Sequence, residues 1–334
     1  MSEGSPVVQT VDAPGVVGAF VRPSSGGPHP GVIAFGGSGG GLGPAAAWAP
    51  ALADRGYAVL AIAYFGQAGL PAELRGIEVE VVASAAAWLA GQPDIASAPF
   101  AAMGVSRGSE LAFLAGIHVP RIGPVAALAP SGVGWFALGA AGPLNAPAWI
   151  VRGDPVPYPW PAGGVSAPVS AGPVALRPVF EDLLRDRDAI RRAEVPVEQC
   201  RGPLLLVSGD DDQMWPSSTF AELVTKRLAR TGATIDCVHL RYPDAGHAFA
   251  GPVGAPIPSH VPAHPLTGAS YAFGGTELGN AAAQADSWPR IVDFLDEATA
   301  LCGSTARGRT IAGDGRCSGG SDARRKQRVR ERGS

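Results

Sequence analysis

Five short runs of this 334-residue chain are apolar almost throughout: GVIAF (31–35), YAVLAIAY (57–64), FAAMGV (100–105), PVAALAP (124–130) and PLLLVSG (203–209). A strand of this kind has no face to offer to water, so both of its faces must be covered. Helical patterns fill the intervals. Pro44–Arg55 opens on proline and is followed by Gly56, residues 77–91 (IEVEVVASAAAWLAG) read as a second helix, and ELAFLAGI (110–117) starts a third. Ser218–Arg230 puts Phe220, Leu223, Val224 and Leu228 on one face. IDCVHLRY (235–242) reads as one more strand. A last helix, roughly Trp288–Ala300 with Pro289 in its first turn, turns Ile291, Val292 and Leu295 inward. Buried strands alternating with helices predict an α/β fold: a mostly parallel sheet with helices on both faces.

The expected organisation is a single α/β domain over 1–302, opened by a strand pair within 1–30. The rhythm fails between Gly132 and Pro178, where nine prolines fall from Pro143 to Pro178. So long a stretch reads as a lid-like insertion over a site, at 139–178. Residues 303–334 hold nine Lys/Arg against three Asp/Glu and few apolar side chains, and read as a disordered basic tail. The other 302 residues carry 17 basic and 26 acidic groups, so no nucleic-acid-binding face is expected. The four cysteines have no CxxC spacing, the N-terminus lacks a cationic start and apolar core, and no run of about 18 apolar residues occurs. A cytoplasmic location without membrane insertion follows as the expectation; oligomeric state is not legible.

After the first apolar run come six glycines within Gly36–Gly43 (GGSGGGLG). Backbone this bare is suited to close approach. A phosphate-binding P-loop needs GxxxxGK[ST], and no lysine follows. Gly41, Gly43 and Ala46 satisfy GxGxxA, but the next strand ends AYFGQ, without the acidic residue that holds a ribose.

A second motif supplies a better reading. Gly104-Val105-Ser106-Arg107-Gly108 is a GxSxG between a strand and a helix, the context of a nucleophile elbow. Such a serine needs a base, and the base needs a carboxylate. LLLVSGDDDQMWPS (204–217) places three aspartates past a strand end, with Asp212 the candidate and Asp211 its near rival. His247 follows another strand on the turn DAGH. His29, His118 and His239 have poorer contexts, and His260 and His264 lie among prolines that prevent a helical i,i+4 metal pair. No metal and no organic cofactor is expected. The chain order Ser106, Asp212, His247 is that of the α/β-hydrolase fold, with all three at C-terminal strand ends. In that fold the oxyanion hole takes one amide from the loop after the third strand and one from the residue after the nucleophile. Here these would be the N–H groups of Gly37 and Arg107, each worth about 3–4 kcal/mol of barrier.

Taken in order, HPGVIAFGGSGGGL, ALADRGYAVLAIAYFGQAGLP, MGVSRGSELA, APSGVG, GPLLLVSGDDDQMWPS, RYPDAGH and GGTELGNAAAQADSWPRIVDFL resemble the catalytic domain of the acyl-CoA thioesterase / bile acid-CoA:amino acid N-acyltransferase family, itself similar to dienelactone hydrolases. The resemblance spans roughly Val8–Ala300. It implies a nucleophile at Ser106, an acid at Asp212, a base at His247, and a small-molecule acyl thioester as substrate. Vertebrate members resembling this chain carry an N-terminal β-sandwich, where here a strand pair precedes Gly31. The acyltransferase branch carries cysteine where this chain has Ser106, which favours transfer of the acyl group to water. A hydrolase of small oxygen esters, an acyl-CoA:amine acyltransferase and a catalytically silent binding module are the alternatives. Residues 139–178 and 251–275 are expected to shape an acyl pocket, with Trp135, Phe136, Trp149, Tyr158 and Trp160 as candidate wall residues.

Overall fold

The structure is a computed structural model describing residues 5–24, 26–97, 99–166 and 172–307, with side chains through residue 299. Its frame is one eight-stranded sheet. The strands are β1 (Val7–Ala13), β2 (Val16–Arg22), β3 (Gly31–Phe35), β4 (Ala58–Ala63), β5 (Phe100–Val105), β6 (Ile122–Leu128), β7 (Leu204–Gly209) and β8 (Cys237–Tyr242), in the spatial order β1-β2-β4-β3-β5-β6-β7-β8. β2 runs antiparallel to β1 and β4, and every other pairing is parallel. The switch point lies where the chain passes from β4 back across β3 to β5, and in such sheets ligands bind past the carboxyl ends of the strands on either side.

The apolar runs do what their composition demands. Every residue of β3, β4, β6 and β7 is buried. Helices α1 (Gly43–Ala53) and α7 (Glu277–Arg307) cover one face, packing Trp48, Leu52, Ile291, Val292 and Leu295 against it. Helices α2 (Glu80–Ala90), α3 (Arg107–His118) and α6 (Ser217–Thr231) cover the other, through residues such as Val82, Leu89, Leu111, Phe113 and Val224. Short helices α4 (Arg177–Leu183) and α5 (Arg187–Ala193) belong to a third, aromatic cluster with Trp135, Phe136, Trp215 and Phe220 at its centre.

Three sequence expectations shift. Residues Ile77–Glu78 form a strand with Trp149–Val151 rather than the first turn of α2. The last helix begins at Glu277, not near Trp288, so Pro289 lies inside it. Proline signals a helix start because it lacks the donor an interior position needs; here eleven residues before Trp288, four of them alanine, are helical enough to carry the helix through it. That helix reaches Arg307, and the remainder of the expected basic tail, 308–334, lies outside the described residues. Within the proline-rich stretch Phe136–Gly139 pairs with Gly142–Pro147 and Trp149–Val151 with Asp154–Pro155, while residues 167–171 of the expected lid lie outside the described residues. Among the described residues no helix is long and apolar enough to cross a membrane.

Candidate active site

Ser106 sits at the junction of β5 and α3 with φ 56° and ψ −126°, a conformation that L residues other than glycine rarely adopt. The two glycines of GxSxG make this turn possible. A Cβ on Gly104 would lie 2.1 Å from Gly108 O, and one on Gly108 would lie 2.2 Å from Gly36 O. Hydrogen bonds hold the strained residue: its N–H donates to Leu128 O (2.9 Å), and its carbonyl accepts from Ser109 Oγ (2.6 Å). Ser109 Oγ in turn accepts from Ser131 N (3.0 Å). Ser106 Oγ makes no hydrogen bond to a described residue and faces a cavity.

Gly37 lies beside it. A Cβ at this glycine would be 3.2 Å from Ser106 Cβ and 3.7 Å from its Oγ, so the loop after β3 approaches the serine as bare backbone. Tyr64, at the end of β4, orients that loop: its hydroxyl donates to Gly36 O (2.8 Å) and Gly37 O (3.1 Å). A trans peptide points its N–H opposite to its C=O, so the amides of Gly37 and Ser38 are turned away from Tyr64. Burial raises the Tyr64 pKa well above the ordinary phenol value, which keeps the hydroxyl a donor.

The three aspartates past β7 divide among three partners. Asp210 pairs with Arg241 (2.7 Å) at the surface. Asp211 accepts from Gly275 N (2.8 Å) and Gln213 Nε2 (2.7 Å). Asp212, fully buried, is the one that meets the histidine: His247 Nδ1 donates to its Oδ2 at 2.8 Å. Its Oδ1 accepts from the amides of Met214 (2.9 Å) and Trp215 (3.2 Å), so both oxygens are satisfied. The geometry therefore selects Asp212 over Asp211 as the partner of His247.

His247 reaches this place because its turn is stripped of side chains. A Cβ on Gly246 would lie 2.2 Å from Gly274 O, and one on Gly209 would lie 2.2 Å from Ala245 O. Gly246 N donates to Asn280 Oδ1 (2.8 Å), a residue of α7, and His247 N to Phe273 O (2.8 Å). The rings of Trp215 and Phe273 flank the imidazole, with centroids 5.9 and 5.6 Å away.

The cavity into which Ser106 opens is apolar, walled by Phe136, Leu138, Phe180, Met214 and Trp215. Of the five aromatics proposed as its wall, Phe136 alone lines it. Trp135 and Trp149 lie in the core, with indole N–H groups bonded to Ser131 Oγ (2.8 Å) and Glu110 Oε2 (2.7 Å). Trp160 backs Phe136 edge-on at 5.2 Å, and Tyr158 bonds Asn145 (3.2 Å).

Sequence reasoning named Arg107 only for its amide, yet its side chain is buried as well. The guanidinium Nε lies 3.0 Å from Glu110 Oε1, and its Nη2 donates to the carbonyls of Trp135 (3.2 Å) and Phe136 (3.0 Å). Burial pushes the Glu110 carboxyl up to about 7, against the pull of Arg107, and burial lowers the Arg107 pKa from its ordinary value. Sequence reasoning assigns no site role to Glu110, Tyr64 or Ser38, and considers His264 only as a metal ligand. A signal for Glu110 was present: a single carboxylate in the apolar helix ELAFLAGI needs a partner. His264, set aside as a metal ligand, lines the cavity and bonds Ser38 Oγ at 3.0 Å.

A family model described as BAAT / Acyl-CoA thioester hydrolase C terminal matches residues 77–301. The chain is 30% identical over 280 residues to acyl-coenzyme A thioesterase 1 of Rattus norvegicus, covering 82% of this chain and 61% of that protein. It is also 30% identical over 280 residues to acyl-coenzyme A amino acid N-acyltransferase 1 of Mus musculus, covering 84% and 62%. It thus spans about three fifths of the length of these relatives. A dienelactone hydrolase-like promiscuous phosphotriesterase from metagenomic libraries superposes with a TM-score of 0.53 at 18% identity, over 88% of this chain and 99% of that one. The fold is thereby that of the dienelactone hydrolase-like α/β-hydrolases.

Proposed function

The chain belongs to the BAAT / acyl-CoA thioester hydrolase C-terminal family, and on that premise we propose that it is a serine hydrolase cleaving acyl-CoA thioesters to the free acid and CoA. The observation that carries the reading is the bond from His247 Nδ1 to a buried, doubly satisfied Asp212, which leaves Nε2 as the free basic nitrogen. In the proposed reaction His247 Nε2 takes the Ser106 proton as Oγ attacks the acyl carbonyl. The carbonyl π electrons move to oxygen, where the amides of Gly37 and Arg107 donate to the developing charge. Collapse expels CoA as the thiol, with the proton supplied by His247. Water, deprotonated by His247, then attacks the acyl-enzyme; the acid leaves and Ser106 recovers its proton. Asp212 stabilises the imidazolium at both stages. The apolar cavity offers the acyl chain a dry site.

Thiol release from acyl-CoAs of graded chain length, run beside p-nitrophenyl esters of matched chains with Ser106→Ala as blank, tests the proposal. A kcat/KM for CoA thioesters well above that for the esters is expected. Turnover of the esters alone would move the assignment to an oxygen-ester hydrolase, and accumulation of amides when glycine or taurine is added would move it to acyl transfer.

A further inference from the structure

Beside Ser106, on the same cavity, stands a second hydroxyl whose hydrogen is directed by its surroundings. Ser38 follows Gly37 in the glycine loop and lines the cavity with Ser106. Its Oγ lies 3.0 Å from His264 Nε2. On the other side of that ring, the backbone N–H of Thr267 donates to Nδ1 at 3.4 Å. A backbone amide can only donate, so Nδ1 is the bare nitrogen of this imidazole and Nε2 carries the hydrogen. Burial lowers the pKa of His264, so the ring is neutral at neutral pH and has one N–H to give. That N–H goes to Ser38 Oγ, which must accept. The hydroxyl hydrogen of Ser38 is thereby left to donate elsewhere, and the open direction is the cavity.

The histidine is itself held. Its ring packs edge-on against Tyr271 at 5.4 Å, its backbone N–H donates to Ala269 O (2.8 Å), and its backbone carbonyl accepts from Gly268 N (2.8 Å). The next residue, Pro265, meets the glycine loop directly, since a Cβ on Gly39 would contact its ring at 3.4 Å. The segment around 264 thus docks on the loop that carries Gly37 and sets the rotamer of Ser38 as it does so.

We propose that Ser38 is a third donor to the oxyanion formed on Ser106, and that His264 is the positioning residue that makes it a donor. The inference rests on the reading of Ser106 as nucleophile and adds a side chain to the two backbone amides. A donor fixed before the reaction needs no reorganisation as charge develops, and one such donor is worth about 100-fold in kcat.

The test compares full-length wild type with Ser38→Ala, Ser38→Thr, His264→Ala, His264→Gln and the Ser38→Ala/His264→Ala double variant. Readouts are steady-state turnover of the best substrate and the rate at which a fluorophosphonate labels Ser106. Ser38→Ala is expected to lose about 100-fold in kcat with KM little changed, and to label more slowly. Ser38→Thr keeps the hydroxyl and most of the rate. His264→Ala falls by less, His264→Gln recovers part of the loss through its amide N–H, and the double variant is no slower than Ser38→Ala. Unchanged kcat and labelling in Ser38→Ala, or a change confined to KM, overturns the proposal. So does additivity in the double variant, which would make His264 independent of Ser38. Should wild type neither turn over any ester or thioester nor label, the nucleophile reading fails and this inference falls with it; a normal wild type beside an unimpaired Ser38→Ala removes the inference alone.

Discussion

Arg107 and Glu110, one helical turn apart in α3, form a buried ion pair with Nε and Oε1 separated by 3.0 Å. The pair joins two parts of the molecule. Arg107 also holds the carbonyls of Trp135 and Phe136, and Glu110 accepts from Trp135 N (3.1 Å) and Trp149 Nε1 (2.7 Å). The helix that starts at Ser106 and the wall residue Phe136 are therefore fastened to one another through charge. Isolated buried pairs of this sort contribute little net stability, but breaking one is costly, about 3–5 kcal/mol.

Glu110 gives this pair a pH signature. Burial holds its folded pKa up at about 7, above the ordinary 4.5. Between those values the folded state binds more protons than the unfolded state, so this group's contribution is full below pH 4.5 and is lost as pH rises toward 7. Thermal unfolding of wild type and Glu110→Gln across that range checks it. The Tm advantage of wild type over the variant should shrink as pH rises, and a gap independent of pH would contradict the assignment.

Asp212 and Asp211 are adjacent but should behave differently. Asp212→Asn loses the acceptor that fixes the His247 tautomer, and kcat should drop by about 10⁴-fold with the fold intact. Asp211→Asn weakens the anchor on Gly275 and should cost about 1 kcal/mol of stability with kcat within a few-fold of wild type. Circular dichroism melts together with initial rates separate the two; equal kinetic losses would undo the distinction.

Ser106 stores backbone strain, and replacement can release it. Ser106→Ala keeps a Cβ at φ 56° and should melt close to wild type. Ser106→Gly removes it and should be more stable than Ser106→Ala by about 1 kcal/mol, while both are inactive. Chemical denaturation of the two variants decides the matter, and a less stable glycine variant would show that the elbow is not strained.

Tyr64→Phe removes the donor to Gly36 O and Gly37 O. The expected result is a loss of about 1–2 kcal/mol in stability and about tenfold in kcat, with KM nearly constant, as the loop's amides drift from alignment. A change in KM without one in kcat would argue that Tyr64 serves binding instead.

What could be read along the chain was whatever is written locally. The buried strands announce themselves by composition, and GxSxG carries its own steric reason, since Gly104 and Gly108 each face a backbone oxygen about 2 Å from a hypothetical Cβ. The helix start at Glu277 was hidden because Pro289 is the stronger local signal. The choice between Asp211 and Asp212 depends on which carboxylate the turn after β7 aims at His247, and adjacent aspartates look alike until that turn is folded. Four of the five expected wall residues lie elsewhere for a related reason: proximity to the proline-rich stretch says nothing about whether a ring faces the cavity, as Phe136 does, and Trp135 and Trp149 spend their N–H groups in the core. Ser38 and His264 are 226 residues apart, beyond any periodic pattern.

One side of the cavity comes from a part of the sequence remote from Ser106, Asp212 and His247, while Met214 and Trp215 on another side adjoin Asp212. Ser106, Asp212 and His247 follow the C-terminal ends of sheet strands, whereas Phe136, Leu138, Pro143 and Val165 reach the cavity from the short strands and loops between β6 and α4. Selection can therefore edit that one side almost independently of the three residues at the strand ends. A descendant could reshape that side of the cavity by rewriting the stretch, leaving Ser106, Asp212 and His247 in place, provided the new wall still offered backbone carbonyls to Arg107. The guanidinium is the coupling at which such grafts would succeed or fail.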